Sequence, residues 1–399
     1  MSTTQTSELA TLAALAEAIG RLDHPVKVDA ERWASEHLAG RDQLDADLHC
    51  SFADDDWRAL ADRGVHGMLV ATEHGGGGHD LATTLLTLEG LGAGSDDNGL
   101  LYALVSQMLS TQIALERSGT PEQRAEWLTP LLAGERFVAF AMTEPGAGSD
   151  AYGLTTSAVE QPDGSYVIDG HKSYITFAPT AEMAIVFAST RPGAGRWGIT
   201  AFLVPTDLDG VERSELRPKM GMRTTPFGDL RFHGVRVPAS AVLGRPGSGA
   251  SIFNTVLEVE RAFVFAPAIG AMERQLRRAV GHANDRVQGG VPIGSHQGVS
   301  HRIADMKEQH ETARLFMYRA AIASVLGQDV AMTAAMSKLV GSEQGIAAAM
   351  SSVALHGAQG FVTEYGVERD LRDAVGGIVY SGTSEVQKNI VARLLGVTG

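Results

Sequence analysis

Cysteine is almost absent from this chain: Cys50 is alone among 399 residues. A single thiol excludes an intrachain disulfide and suits a reducing, cytoplasmic setting. No apolar run reaches the roughly 18 residues that a membrane-spanning helix needs, so no membrane partner is expected. Positive charge is also in deficit. The formal net charge of −14 removes the basic footprint that general nucleic-acid binding requires, while leaving open a local basic groove for a phosphorylated ligand. The opening MSTTQTSELATLAALAEAIGRLDHP has no basic stretch ahead of its apolar part. It reads as an amphipathic helix capped near Thr4–Ser7, not as an export signal.

What is present is an ordinary globular composition, 44% hydrophobic and 20% charged, at a length that suggests two or three packed units. Residues 8–135 read as mostly helical. ELATLAALAEAI, DDDWRALADRGV, LATTLLTLEGLGAG and LLYALVSQMLSTQIALERSG repeat apolar positions at three- and four-residue spacing. Thr120-Pro121-Glu122-Gln123 is a helix start with proline at the first helical position. The glycine run EHGGGGHD at 73–80 could cradle a phosphate beside a helix. No lysine and Ser/Thr pair follows it, however, and a flexible connection is the favoured reading.

From about 138 to 245 the texture changes. SYVIDGHKSYITFA, EMAIVFAST, WGITAFLVP and LRFHGVRVP are short β-branched runs between Gly, Pro and Asp turns, the pattern of an antiparallel β domain. DGSY at 163–166 signals a hairpin turn. Helical periodicity returns in long segments near 249–284, 297–327, 330–358 and 383–396, with a shorter one near 364–373, which suggests a bundle. The expectation is an α+β chain in three units: a helical domain over 1–137, an antiparallel β domain over 138–246 and a four-helix bundle over 247–399.

Two distant stretches carry chemistry. AMTEPGAGSD at 141–150 is a glycine-punctuated turn rich in hydroxyl and N–H donors. ERDLRDAVGGIVYSGTSEVQKNIVARLLG at 368–396 is a charged helix, a Gly-Gly break and a Tyr-Ser-Gly-Thr-Ser-Glu start to a final helix. Together they resemble the two signature regions of the acyl-CoA dehydrogenase family of flavoproteins, and the resemblance runs over nearly the whole chain. It implies bound FAD. Phe140, Met142 and Thr143 would line the flavin ring, with Gly148 and Ser149 at the pyrophosphate and Ser149 also near the thioester entrance. Tyr174-Ile175-Thr176 matches a Trp-Ile-Thr element whose aromatic covers one flavin face and whose threonine bonds N5. Arg286 and Gln297 match positions that hold the adenine half across a subunit interface, implying a homodimer or homotetramer. Thr383 and Glu385 would meet the flavin from the start of the last helix. Two departures stand out at the adenine end: the family's Arg-x-x-Phe-Gly appears as Arg286-Val287-Gln288-Gly289-Gly290, with Gly289 in place of the phenylalanine, and Gly357-Ala358 replaces a Gly-Gly.

The family's reaction takes a proton from the carbon alpha to a thioester carbonyl while a hydride leaves the beta carbon for flavin N5. That proton needs a carboxylate base in a dry site. Where most members carry the base, in Tyr-Glu-Gly-Thr, this chain has Ser381, and a serine hydroxyl is too weak without activation. The backbone beside it, Gly382 and Thr383, is kept to bind the carbonyl oxygen. A substitute lies on the segment 251–276, read as one helix with apolar residues at 253, 256, 257, 264 and 268. Glu260 falls on that stripe, where an unpaired charge is costly and a raised pKa would suit a base. A minority of the family, the isovaleryl- and long-chain-type enzymes, carries its base there. The alternative is a buried glutamate paired to Arg261 or Arg372. Arg261 matches an arginine at the active-site floor, and Glu258 reads as its solvated partner. Glu144 suits a local hydrogen-bonding role and His356 packing.

The resemblance implies α,β-dehydrogenation of an acyl thioester on CoA or on a carrier protein, with an electron-transfer flavoprotein or O₂ as acceptor. The wording around 259–321 and 368–387 is closest to prolyl-carrier-protein oxidases. Two alternatives share the fold: a flavin-dependent monooxygenase or oxidase, which needs no carboxylate at position 260, and a non-catalytic flavin-binding relic.

Overall fold

The computed structural model describes residues 3–38 and 41–397. Its N-terminal part holds helices α1 (Thr3–Gly20), α2 (Pro25–His37), α3 (Gln43–His49), α4 (Asp54–Asp62), α5 (Leu81–Gly94), α6 (Asn98–Ser106), α7 (Gln112–Ser118), α8 (Pro121–Gln123) and α9 (Thr129–Leu132). A π-helical turn at Gln107–Thr111 joins α6 to α7. Thr120 and Gln123 form a reciprocal capping box at α8, as the Thr-Pro-Glu-Gln signal predicts. The expected cap at Thr4–Ser7 is not one, because α1 already includes those residues and any cap lies outside the described residues. The glycine run is tightly packed: a Cβ on Gly76 would sit 2.1 Å from the Val70 carbonyl oxygen, so close backbone approach accounts for it.

The middle region is an eight-stranded sheet: β1 (Val138–Ala141), β2 (Ser157–Glu160), β3 (Tyr166–Thr176), β4 (Met183–Ser189), β5 (Ile199–Pro205), β6 (Val211–Arg213), β7 (Phe227–Val237) and β8 (Val242–Leu243). Most pairs are antiparallel, but β1 runs parallel to β4, and β2 meets β4 in parallel at Ser157 opposite Ser189. The connection from β1 to β4 is long enough to bring the chain back in the same direction, which a hairpin cannot do. Both faces of β4 are covered. Met183, Ile185 and Phe187 join a core with Leu115, Trp127 and Val256, while Ala184, Val186 and Ala188 join the larger core with Leu100 and Leu104. β1 is thereby fixed between the helical domain and the helix that follows the sheet.

The C-terminal part comprises α10 (Gly249–Phe263), α11 (Ala266–Asp285), α12 (Gln297–Val325), α13 (Ala331–His356), α14 (Ala358–Phe361), α15 (Val367–Gly376) and α16 (Ser384–Leu394), with a two-stranded hairpin β9 (Val287–Gln288) and β10 (Val291–Pro292) between α11 and α12. Helices α10, α11, α12, α15 and α16 all pack on α13. The single helix expected over 249–284 is broken at Val264–Phe265. Pro267 lies in the first turn of α11; it has no N–H to donate and its ring would strike the carbonyl four residues back. The break leaves Glu260 in the last turn of α10. Among the described residues no helix is long and apolar enough to cross a membrane.

Candidate active site

The AMTEPGAGSD turn is held by its glutamate. Glu144 is buried and accepts hydrogen bonds from Thr155 N at 2.6 Å, Thr155 Oγ1 at 2.7 Å, Thr156 N at 2.9 Å and Lys172 Nζ at 2.8 Å. Burial alone would raise its pKa, but the Lys172 ammonium and these donors outweigh that and hold it down to about 2. Lys172, also buried, donates to the Met142 carbonyl at 3.0 Å. Ser173 N then donates to the Thr143 carbonyl at 2.9 Å. Met142 and Thr143 are thus laid beside the end of β3. The Phe140 ring turns into the core, 5.0 Å from Phe187 and 6.2 Å from Phe253. Gly148 and Ser149 are exposed at the turn's tip.

Tyr174 is shaped by a β-bulge. Ser173 and Tyr174 together oppose Asp229 between the Lys172–Leu230 and Ile175–Gly228 pairs, and Tyr174 takes a positive φ of 62°. Such a φ in a non-glycine residue persists only when its surroundings impose it. Here Asp229 accepts from Tyr174 N, Ser173 Oγ, His171 Nε2 and, at 2.6 Å, Arg217 Nη2. The Arg217 guanidinium in turn sits 4.9 Å over the Tyr174 ring, whose residue stays 53% exposed. Ile175 is buried and Thr176 half-buried.

The decisive geometry joins α10 to the start of α16. Ser381 Oγ donates to Glu260 Oε1 at 2.5 Å. Burial raises the Glu260 pKa, and the hydrogen bond from Ser381 and the charge of Arg261 oppose that rise. Neither arginine of the ion-pair alternative pairs with Glu260. Arg372 is engaged by Asp47 at 2.7 Å and Glu368 at 3.0 Å, and Arg261 Nε donates to the Ser381 carbonyl at 3.3 Å. The expected Arg261–Glu258 ion pair does not form among the described residues: Glu258 instead shares a groove with Arg117. Ser381 has φ 56° and Gly382 φ 86°, a conformation that glycine takes freely and serine does not. Gln387, buried on α16, secures it by donating Nε2 to the carbonyls of Ser381 at 3.2 Å and Gly382 at 2.9 Å. Thr383 caps α16 by accepting from Val386 N. Glu385, exposed in the first turn, has a lowered pKa from backbone N–H groups and the Thr383 hydroxyl.

Gln387 and Tyr102 escaped sequence reasoning. Tyr102 stacks on Tyr380, with ring centroids 4.7 Å apart; burial raises its pKa, and the nearby Thr176 side chain opposes that rise. Gln387 could have been found by the argument that singled out Glu260, a polar residue on a helix's buried face. Arg286 and Gln297 lie elsewhere. They are exposed and flank the β9–β10 hairpin, at the far end of the 20-residue α11 and so roughly 30 Å along its axis from its start. His356 packs, stacked 4.4 Å from His282. No group of three metal-binding side chains occurs among the described residues.

The residues present fit a flavin. Thr143 lies two residues past the end of β1 and Thr176 closes β3, the two segments being tied by the Ser173 N to Thr143 carbonyl hydrogen bond; Tyr174 offers an exposed aromatic face, and the capped N-terminus of α16 favours an electron-rich ring or phosphate. Ser384 Oγ is buried there with no hydrogen-bond partner. The acyl-CoA dehydrogenase N-terminal, middle and C-terminal domain descriptions match residues 15–135, 139–235 and 247–396. An L-prolyl-(peptidyl-carrier protein) dehydrogenase of Pseudomonas fluorescens is 37% identical over 85% of this chain and 89% of that protein. The isovaleryl-CoA dehydrogenase of rice mitochondria (Oryza sativa) is 32% identical over 92% of this chain and 90% of that protein. Among solved structures, the prolyl acyl carrier protein oxidase AnaB superposes with a TM-score of 0.90 at 34% identity, covering 94% of this chain and 99% of AnaB. PigA, solved with FAD and proline, gives 0.90 at 33%, covering 94% and 97%. The chain belongs to the acyl-CoA dehydrogenase family and is a FAD-dependent oxidoreductase acting on CH–CH bonds.

Proposed function

We propose that this chain desaturates an acyl thioester between its alpha and beta carbons, with Glu260 as the base. The observation that carries the reading is Glu260 itself: a half-buried carboxylate with no ion pair among the described residues, hydrogen-bonded to Ser381 just before the start of α16. When bound, FAD supplies the two-electron acceptor for the beta hydride. Met142, Thr143, Tyr174 and Thr176 would hold its ring side with Thr383 and Glu385, Gly148 and Ser149 its pyrophosphate, and Arg286 and Gln297 would hold the adenine half of a partner's FAD in a homo-oligomer. Glu260 takes the alpha proton onto its carboxylate. The C–H electron pair released there becomes the new carbon–carbon double bond as the hydride departs. Gly382, in the position that follows Ser381, offers its backbone to the thioester oxygen, where negative charge develops. Three units, 1–137, 138–246 and 247–399, would converge on this site.

The thioester is proposed to be an aminoacyl group on a carrier protein, because prolyl-carrier enzymes recur among the similar proteins; an acyl-CoA is the other candidate. Electrons would leave to an electron-transfer flavoprotein or O₂. The test is anaerobic titration of the purified holoenzyme with prolyl-carrier protein and a series of acyl-CoAs, following flavin absorbance. Bleaching by a thioester supports the reading, and a flavin that every thioester leaves oxidised overturns it.

A further inference from the structure

We propose that the stacked pair Tyr102–Tyr380 is a specificity wall: it ends the acyl site just beyond Glu260 and separates it from a second cavity behind the rings, confining the enzyme to compact acyl groups. The inference rests on the thioester reading above and deepens it.

The two rings stand 4.7 Å apart at 42°. Tyr380 is stacked in turn on Phe265, 5.6 Å away at 20°, so the wall spans from α6 to the start of α11. One side of it faces the chemistry. Tyr380 immediately precedes Ser381, Tyr102 lies near the Thr176 side chain, and the Glu260 charge acts on both phenols. The other side faces a small cavity lined by Leu101, Val264, Ala268 and Met272 and bounded by Asp370 and Asp373. Neither Glu260 nor Ser381 nor Thr176 lines that cavity, whereas Tyr102 and Tyr380 both do. Gly345 of α13 borders the cavity, and a Cβ there would meet nothing within 4 Å.

A short or cyclic acyl group fits on the Glu260 side, and each further methylene of a linear chain meets phenol rings instead of space. Removal of the Tyr102 ring joins the two compartments. A linear chain then gains about fourfold in affinity per methylene that enters apolar surroundings, until it reaches the carboxylates of Asp370 and Asp373.

The experiment compares wild type, Tyr102→Ala and Tyr102→Phe as FAD-loaded proteins by calorimetry. One arm uses non-reactive S-butyl and S-octyl pantetheine thioethers, and the other uses free 1-octanol, which needs no thioester recognition. Wild type and Tyr102→Phe should bind the octyl thioether no tighter than the butyl one. Tyr102→Ala should prefer octyl by roughly tenfold or more and gain octanol binding. If Tyr102→Ala loses FAD, Tyr102→Leu reads the same change. The wall is refuted if wild type already shows the octyl preference, or if the opened variant gains in neither arm. A gain for octanol while no protein binds either thioether would uphold the wall and sink the thioester reading.

Discussion

Ser381 and Glu260 lie 121 residues apart in sequence and 2.5 Å apart in space. The serine is no base under the proposed reading. It donates a hydrogen bond to the carboxylate proposed as one, from the positive-φ turn at the head of α16. Glu260→Gln keeps the volume and removes proton acceptance. A general base contributes about 10² to 10⁴ in rate, so reduction of the flavin by thioester should fall by that order while FAD stays bound. Stopped-flow reduction of the yellow variant measures it. A Glu260→Gln enzyme that reduces normally, beside a Ser381→Ala enzyme that does not, would reverse the assignment.

The same hydrogen bond sets a pH limit. Burial raises the Glu260 pKa and Ser381 lowers it, so Ser381→Ala removes a stabiliser of the charged form. The base is active when deprotonated, and the acid limb of the rate profile must therefore move to higher pH in Ser381→Ala. At a pH well above that limb the two enzymes should converge in rate. An unmoved limb would mean that Ser381 does not sense the ionisation of Glu260.

The order of helical, β and helical parts was legible because periods of 3.6 and 2 are local properties. Glu260 was legible for the same reason, as a charge in an apolar stripe. Pairing direction is not local: nothing in VAFA or SAVE announces parallel contact with β4. The break at Val264–Phe265 was hidden because apolar residues continue through it and Pro267 alone marks it. Tyr102 sat unremarked among leucines, since an aromatic at helical spacing reads as core until its partner Tyr380 is placed against it.

Glu144 and Lys172 form a buried pair at 2.8 Å, each almost wholly out of solvent. Glu144→Gln would leave the ammonium buried without a counter-charge, and breaking such a pair costs about 3–5 kcal/mol. Urea unfolding should show that loss together with weakened FAD retention, because Lys172 also holds the Met142 carbonyl. The Glu144 pKa is depressed, so its contribution is present above its ordinary value of 4.5 and is lost as pH falls towards 2. The wild-type and variant stabilities should therefore approach each other in acid. A variant as stable as wild type at neutral pH would remove Glu144 as the turn's anchor.

Asp373 carries the opposite sign. It is buried on α15, accepts from Met222 N at 2.5 Å and Asn98 Nδ2 at 3.0 Å, and lacks the arginines that neutralise its neighbour Asp370. Burial pushes its pKa from 3.8 up to about 6. A carboxyl raised on folding contributes stability below its unfolded value and loses it as pH climbs through the folded one. Between about pH 4 and pH 6 the loss for a shift of this size is about 3 kcal/mol. Asp373→Asn cannot ionise. Its amide also leaves one of the two donors poorly matched, a penalty of about 1–3 kcal/mol that does not vary with pH. The advantage of wild type over the variant should therefore shrink by about 3 kcal/mol from pH 4 to pH 6, to zero or below, and then level off. Curves that stay parallel across that window would show that Asp373 titrates at its ordinary value, and that the cavity behind the tyrosine wall ends in charge even in mild acid.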